Sequence, residues 1–277
     1  MVAEENGKPS PAKNGSTKKS SRSTTKDGVK KAVLITGCDT GFGHELAKRL
    51  DAAGFQVLAG CLNPSSEGAT MLRDFCSASL RVLHLDVTRE EHFRRASKTL
   101  AAELGPRGEC YTSAKRKLWP HCHCLECPFY CMSKHAVVSF ADGLRREMRK
   151  WDILVSTIEP VLYRTKMAMP EHIQCTVDQS WQDTPEPVRE VYGKTYFEHF
   201  RSRCLDFLSR RCREDLYEVV DNMVHAVSSR RPRRSYFCGG ASDRFRVALL
   251  RVLSANTVDR MLCTINQSHV GRSISDG

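Results

Sequence analysis

"AVLITGCDTGFGHELAKRLDAAG", residues 32 to 54, decides the fold class, and the rest of the chain is read outward from it. Ala32 to Gly37 is a short apolar run closed by glycine, the pattern of a parallel strand buried on both faces. Gly37, Gly41 and Gly43 follow with the spacing G-x-x-x-G-x-G. Phe42, Leu46, Ala47, Leu50 and Ala53 then fall on one face of a helix that closes at Gly54. A glycine turn between a strand and a helix gathers backbone N–H groups at the positive end of the helix, with no Cβ in the way. That arrangement can cradle a pyrophosphate.

The pattern repeats downstream. "FQVLAGCL" (Phe55–Leu62) and "LRVLHLDV" (Leu80–Val87) read as second and third strands, with a helical "SSEGATMLRDFCSA" between them. Strands alternating with helices imply an α/β chain, a Rossmann-type doubly wound parallel sheet in a single domain. Asp86 and Val87, ending the third strand, can face an adenine; a polar residue closing a strand reads the same way. "TREE" (Thr88–Glu91) is a capping box for a helix carrying Phe93, Ala96, Leu100 and Leu104, which stops at Gly105-Pro106.

Bulk properties narrow the class. The 277 residues are 40% hydrophobic and 27% charged, ordinary for a globular protein with a sizeable core. Thirteen cysteines without a secretory signal suit free thiols in a reducing, intracellular compartment better than a disulfide framework. No apolar run approaches the roughly 20 residues that span a bilayer. A net charge of +11 favours anionic surfaces, with no motif that reads nucleic acid. Residues 1–31 are rich in Ser, Thr and Lys and read as a disordered basic tail.

In "YCMSKHAVVSFADGLRREM", residues 130 to 148, Tyr130 and Lys134 stand one helical turn apart on one face. A phenol with a pKa of about 10 is a poor proton shuttle at neutral pH, and an ammonium beside it favours the phenolate. Y-x-x-x-K alone is common on solvated helices; its weight here comes from following the nucleotide half. "DILVSTIEP" (Asp152–Pro160) reads as a buried strand leading into "EPVLYRT".

Together, "TGCDTGFG", "GFQVLAGCL", "LHLDVT" and "YCMSK" resemble the short-chain dehydrogenase/reductase family, nearest its retinol, hydroxysteroid and 3-hydroxybutyrate dehydrogenases. The resemblance implies an NAD(P)-dependent oxidoreductase that interconverts a small lipophilic alcohol and a ketone or aldehyde. Tyr130 would exchange the proton with the substrate oxygen, and Lys134 would hold the nicotinamide ribose. Gly37, Asp39, Thr40, Gly41, Phe42, Gly43, Asp86, Val87, Pro160 and Thr165 would line the dinucleotide. NAD is preferred over NADP, because Asp39 repels the extra phosphate and no Arg or Lys follows the second strand. The family's Pro-Gly-x-x-x-Thr loop has Val161 for its glycine, which predicts strain if that position needs a positive φ. The intact family form implies a homo-oligomer, either cytoplasmic or in peripheral contact with endoplasmic reticulum or mitochondrial membrane. Arg230 to Arg234 and the final helical run from Asp243 could touch such a membrane, or simply be solvated and docked.

One stretch departs from the family. Residues 87 to 129 would have to hold a helix, a strand, another helix and a further strand, and one strand–helix–strand unit takes about 30 residues. The domain spanning residues 32–277 therefore reads as interrupted at about 105–129, lacking its fourth and fifth strands, the Asn-Asn-Ala-Gly segment, a helix asparagine and the substrate-orienting serine. "GECYTSAKRKLW" is too basic and poorly alternating to replace a strand. Read one base later, one choice among the synonymous codons for "KLWPHCHCLEC" gives Phe-Gly-Arg-Ile-Val-Thr-Val-Ser-Ser-Ala, which resembles the missing strand and serine. A structural zinc on His121, Cys122, His123, Cys124, Cys127 and Cys131 is the competing account, but the paired, separated knuckles of such sites are missing, so no metal is assigned. Two other functions stand beside the dehydrogenase: a catalytically inactive, truncated nucleotide-binding protein, and a basic metal- or nucleic-acid-binding module.

Overall fold

Residues 31–104 fold as the strand–helix alternation predicts. The computed structural model describes residues 31–104, 109–113 and 128–266; the basic tail, most of the joint and the Cys/His run through Cys127 lie outside them. In chain order the elements are β1 (Lys31–Thr36), α1 (Gly41–Ala52), β2 (Gln56–Cys61), α2 (Glu67–Phe75), β3 (Leu80–His84), α3 (Glu90–Leu104), β4 (Glu109–Ser113) and α4 (Pro128–Met148). Then follow β5 (Thr157–Pro160), α5 (Pro170–Gln182), α6 (Glu186–Arg211), α7 (Tyr217–Ser228), β6 (Ser235–Cys238), α8 (Ala241–Val252) and α9 (Ala255–Asn266).

Two parallel sheets result, one with order β3-β2-β1-β4 and one pairing β5 with β6. The first is the opening half of a doubly wound order. Because strand side chains alternate, β1 and β2 bury both faces. Val33, Ile35, Val57 and Ala59 share a core with Leu46 and Leu50 of α1 and Val219, Val220 and Met223 of α7. Leu34 and Leu58 turn the other way, onto Leu85 and Ala96, with Phe93 and Leu100 of α3 against them. Ile158 and Phe237 of the second sheet pack on the first core, so apolar contact ties the two sheets. An Arg49–Asp221 ion pair reinforces the α1–α7 seam.

Five expectations need correction. Glu109–Ser113, judged a poor strand, pairs in parallel with β1 from Lys31↔Glu109 to Ile35↔Ser113. The open side of β1 offers a full row of backbone partners, and that outweighs weak alternation. The strand over Asp152–Pro160 shrinks to Thr157–Pro160, leaving Ile153 and Leu154 52% and 66% exposed. Among the described residues no strand joins β4 to β5, so the expected burial of that segment has no partner to supply it. The Thr88 capping box is not formed: α3 starts at Glu90, and Thr88 donates its N–H and hydroxyl to Asp86 Oδ1 at 2.9 and 2.7 Å. Val161 does not take a positive φ, because the chain leaves β5 extended, with Val161 N–H donating to the Cys238 carbonyl at 3.0 Å. Ala53 lies just beyond α1 and is exposed.

Candidate functional site

The glycine turn lies where β1 ends and α1 begins. Gly37 and Gly41 have φ of 66° and 65°, and a Cβ on Gly43 would meet the Gly37 carbonyl oxygen at 2.5 Å. Thr40 precedes α1 with an extended backbone; its side chain makes no cap, and the first turn carries no acidic residue. No carboxylate within that first turn competes for the positive end of α1, which fits a dinucleotide's phosphates. Asp39 is turned aside: its carboxylate accepts from the backbone N–H of Leu62 at 2.9 Å and of Asn63 at 3.0 Å, at the exit of β2. Beneath it, burial pushes the Cys61 thiol up to about 12, and the Asp39 charge adds to the shift.

At the end of β3, hydrogen bonds from Thr88 hold the Asp86 carboxyl below its ordinary range. Asp86 N–H donates to Nδ1 of the buried His92 at 3.0 Å, and the His92 ring lies 4.5 Å from that of His84. Val87, next in the chain, is exposed. The histidine contact has no signature in the sequence beyond two residues six apart.

Tyr130 and Lys134 meet as helical spacing dictates, with Lys134 Nζ 4.9 Å from the Tyr130 ring centroid. Tyr130 is 42% exposed. α4 is anchored through its C-terminal half: Arg145 Nε donates to the Val155 carbonyl at 2.9 Å, and Asp142 bridges Arg145 and Arg234 at 2.5 and 2.6 Å. These anchors lie toward the starts of β5 and β6, whereas the glycine turn follows the end of β1. Helical spacing alone brings the tyrosine and lysine to each other, and these anchors do not themselves carry the pair to the turn. Cys131, on the same helix, belongs to no group of three metal-ligating side chains among the described residues.

Pro160 and Thr165 are buried at the two ends of the loop after β5. Between them lies a residue the sequence reading passed over. Tyr163 is fully buried; its ring meets Phe42 of α1 edge-on at 5.8 Å, and its hydroxyl donates to Glu218 Oε2 at 2.7 Å. Arg213 donates to the same oxygen at 3.0 Å. Burial first, then the Glu218 hydrogen bond and charge, push the Tyr163 phenol well above its usual range, so it stays protonated. The loop therefore joins the glycine turn through Phe42, a link that the local sequence pattern does not announce.

Comparison with known proteins now places the chain. The family model described as short chain dehydrogenase matches residues 31–107 and 122–175. Retinol dehydrogenase 16 of Mus musculus is 30% identical over 268 aligned residues, covering 79% of this chain and 84% of that protein. This chain belongs to the short-chain dehydrogenase family. The 17-beta-hydroxysteroid dehydrogenase type 6 of Rattus norvegicus is likewise 30% identical, covering 84% of this chain and 87% of that one. The 268 aligned positions exceed 79% of 277 residues, so the mouse relative carries positions with no counterpart here. Among solved structures, a short-chain dehydrogenase from Streptomyces avermitilis superposes with a TM-score of 0.55 at 16% identity, covering 87% of this chain and 100% of that one. By family this short-chain dehydrogenase is an oxidoreductase that works with NAD(P).

Proposed function

We propose that the protein interconverts a lipophilic alcohol and its ketone or aldehyde, of the retinoid, steroid or hydroxy-acid kind, with NAD as the preferred dinucleotide. The carrying observation is the Lys134 ammonium 4.9 Å from the Tyr130 ring, on the helix that follows the nucleotide half. The substrate class rests on the 30% identity to a retinol dehydrogenase and a 17-beta-hydroxysteroid dehydrogenase. Retinoids and steroids partition into membranes, and a net charge of +11 favours work beside an anionic one.

The backbone amides opening α1 would hold the pyrophosphate, and the loop from Pro160 to Thr165 would border the nicotinamide. Bound NAD+ supplies the hydride acceptor, which is its own chemistry. Tyr130, as phenolate, takes the proton of the substrate hydroxyl and returns it in the reverse direction. Lys134 stabilises that phenolate by its charge. Asp39, locked at the exit of β2 by two backbone amides, sets a negative charge near where an adenosine ribose lies in such folds, which disfavours a 2′-phosphate.

The test is NADH formation from NAD+ with retinol, a 17β-hydroxysteroid, 3-hydroxybutyrate and simple secondary alcohols. Turnover that Tyr130→Phe abolishes while NADH binding persists supports the reading. One observation favours a second reading, a dinucleotide-binding protein without turnover: Tyr130 is 42% exposed, and a proton-transfer group open to water lacks the closed site that strengthens its chemistry. NADH binding without turnover of any substrate would select it. Equal affinity for NADH and NADPH would sink the Asp39 argument.

A further inference from the structure

Tyr163 and the stretch from Arg213 to Glu218, which ends 55 residues further on, converge on one carboxylate oxygen. Tyr163 of the loop after β5, Arg213 just past the end of α6, and Glu218 in the first turn of α7 are joined through Glu218 Oε2, at 2.7 Å from the phenol and 3.0 Å from the guanidinium. The backbone repeats the connection. Arg164 N–H donates to the Arg213 carbonyl at 2.8 Å, and Arg213 N–H to the Leu162 carbonyl at 2.9 Å, a parallel bridge centred on Tyr163 and Arg213. The Arg213 guanidinium also lies 6.0 Å from the Tyr163 ring centroid. On its other side Tyr163 packs against Phe42, the residue after Gly41.

Packing alone does not require this. A phenylalanine would fill the same core, whereas a buried hydroxyl costs free energy unless bonded, and a charge-assisted bond fixes direction as well as distance. What the cluster fixes is the loop that runs from Pro160 to Thr165, held by α7 and the end of α6 on one side and by the first turn of α1 on the other. We infer that Tyr163, Glu218 and Arg213 are positioning residues that hold the nicotinamide-side loop in register with the glycine turn, and couple it to the end of α6. This rests on reading that loop as the nicotinamide border.

The experiment uses the full chain with two probes, NADH and ADP-ribose, the second lacking the nicotinamide. Dissociation constants are measured for the wild type, Tyr163→Phe, Glu218→Gln and Arg213→Lys, well below each unfolding temperature. Tyr163→Phe and Glu218→Gln should weaken NADH roughly tenfold, as the loss of a charge-assisted hydrogen bond does, and leave ADP-ribose within about twofold. Arg213→Lys, keeping the charge, should retain most of the NADH affinity. Parallel weakening of both probes, or a lower unfolding temperature with both affinities intact, overturns the inference, since a purely structural role predicts those results. A wild type that binds neither probe refutes the dinucleotide reading itself, and the inference with it. Should the variants fail to fold, hydrogen exchange on the wild type decides. NADH, and not ADP-ribose, should protect residues 160–165 and 212–218 together; protection confined to 160–165 refutes the coupling.

Discussion

Replacing one glycine by alanine should destabilise this protein at one position and stabilise it at another. A Cβ on Gly43 would stand 2.5 Å from the Gly37 oxygen, 3.1 Å from its carbonyl carbon and 3.2 Å from the Thr36 oxygen. Ordinary contact begins at 3.4 Å, so α1 must back away from the turn by about 0.9 Å, and backbone atoms cannot rotate aside as a side-chain end would. Overpacking of this kind costs about 1–3 kcal/mol, and the better helix propensity of alanine returns at most about 1 kcal/mol. With the full propensity gain returned, the net for Gly43→Ala is a loss of up to about 2 kcal/mol. Gly143, inside α4, has nothing within 4 Å of its would-be Cβ, so only the propensity gain of about 1 kcal/mol remains. For a domain of this size each kcal/mol moves Tm by about 2–4 °C. Thermal unfolding followed by circular dichroism should show Gly43→Ala melting lower, by up to roughly 8 °C, and Gly143→Ala roughly 2–4 °C higher. NADH titration should show weaker binding only for Gly43→Ala. Both variants moving in the same direction would refute the reasoning, because it would mean that helix propensity, and not the approach of α1 to the turn, governs the two sites.

Two further outcomes follow from particular contacts. Arg145 first, then Arg234, hold the Asp142 carboxyl below its ordinary value of 3.8. The sign for a depressed carboxylate is that its stabilisation is present above the unfolded value and is lost as pH falls through the lower folded one. Asp142→Asn should therefore flatten the fall in Tm with acid in that window; an unchanged slope would remove Asp142 from the account. Ile153 and Leu154, 52% and 66% exposed, carry little of the core, so Ile153→Thr with Leu154→Thr should leave stability within about 0.5 kcal/mol and reduce aggregation on heating. A loss of several kcal/mol on denaturant unfolding would show that the segment is buried in solution.

What the sequence disclosed was local. The glycine turn, β1 and β2 and the Tyr130–Lys134 pairing each depend on spacings of a few residues, and the period of a helix or strand suffices to read them. Glu109–Ser113 was illegible because its strand character comes from the partner β1 offers, which no alternation records. Asp152–Ser156 failed in the opposite sense: its apolar run is a sound strand signal, but a strand needs a neighbour. Asp39 was seen as a charge in the turn, while its lock onto Leu62 and Asn63 depends on β2 ending beside it. Tyr163, Arg213 and Glu218 were invisible together, since nothing in the sequence announces that Tyr163 shares one oxygen with a stretch 55 residues further on.

The manner in which the β5–β6 ladder is attached also dictates when it can form. Residues through Leu104 include a self-contained run of strand, helix and strand whose partners are sequential neighbours, and such a run can assemble as soon as it is synthesised. The ladder cannot, because its apolar side rests on α7 and α7 rests on α1, near the opposite end of the chain. Attaching the ladder therefore requires a long loop closure, and a nascent chain halted before α7 would leave one wall of the core beside the glycine turn bare.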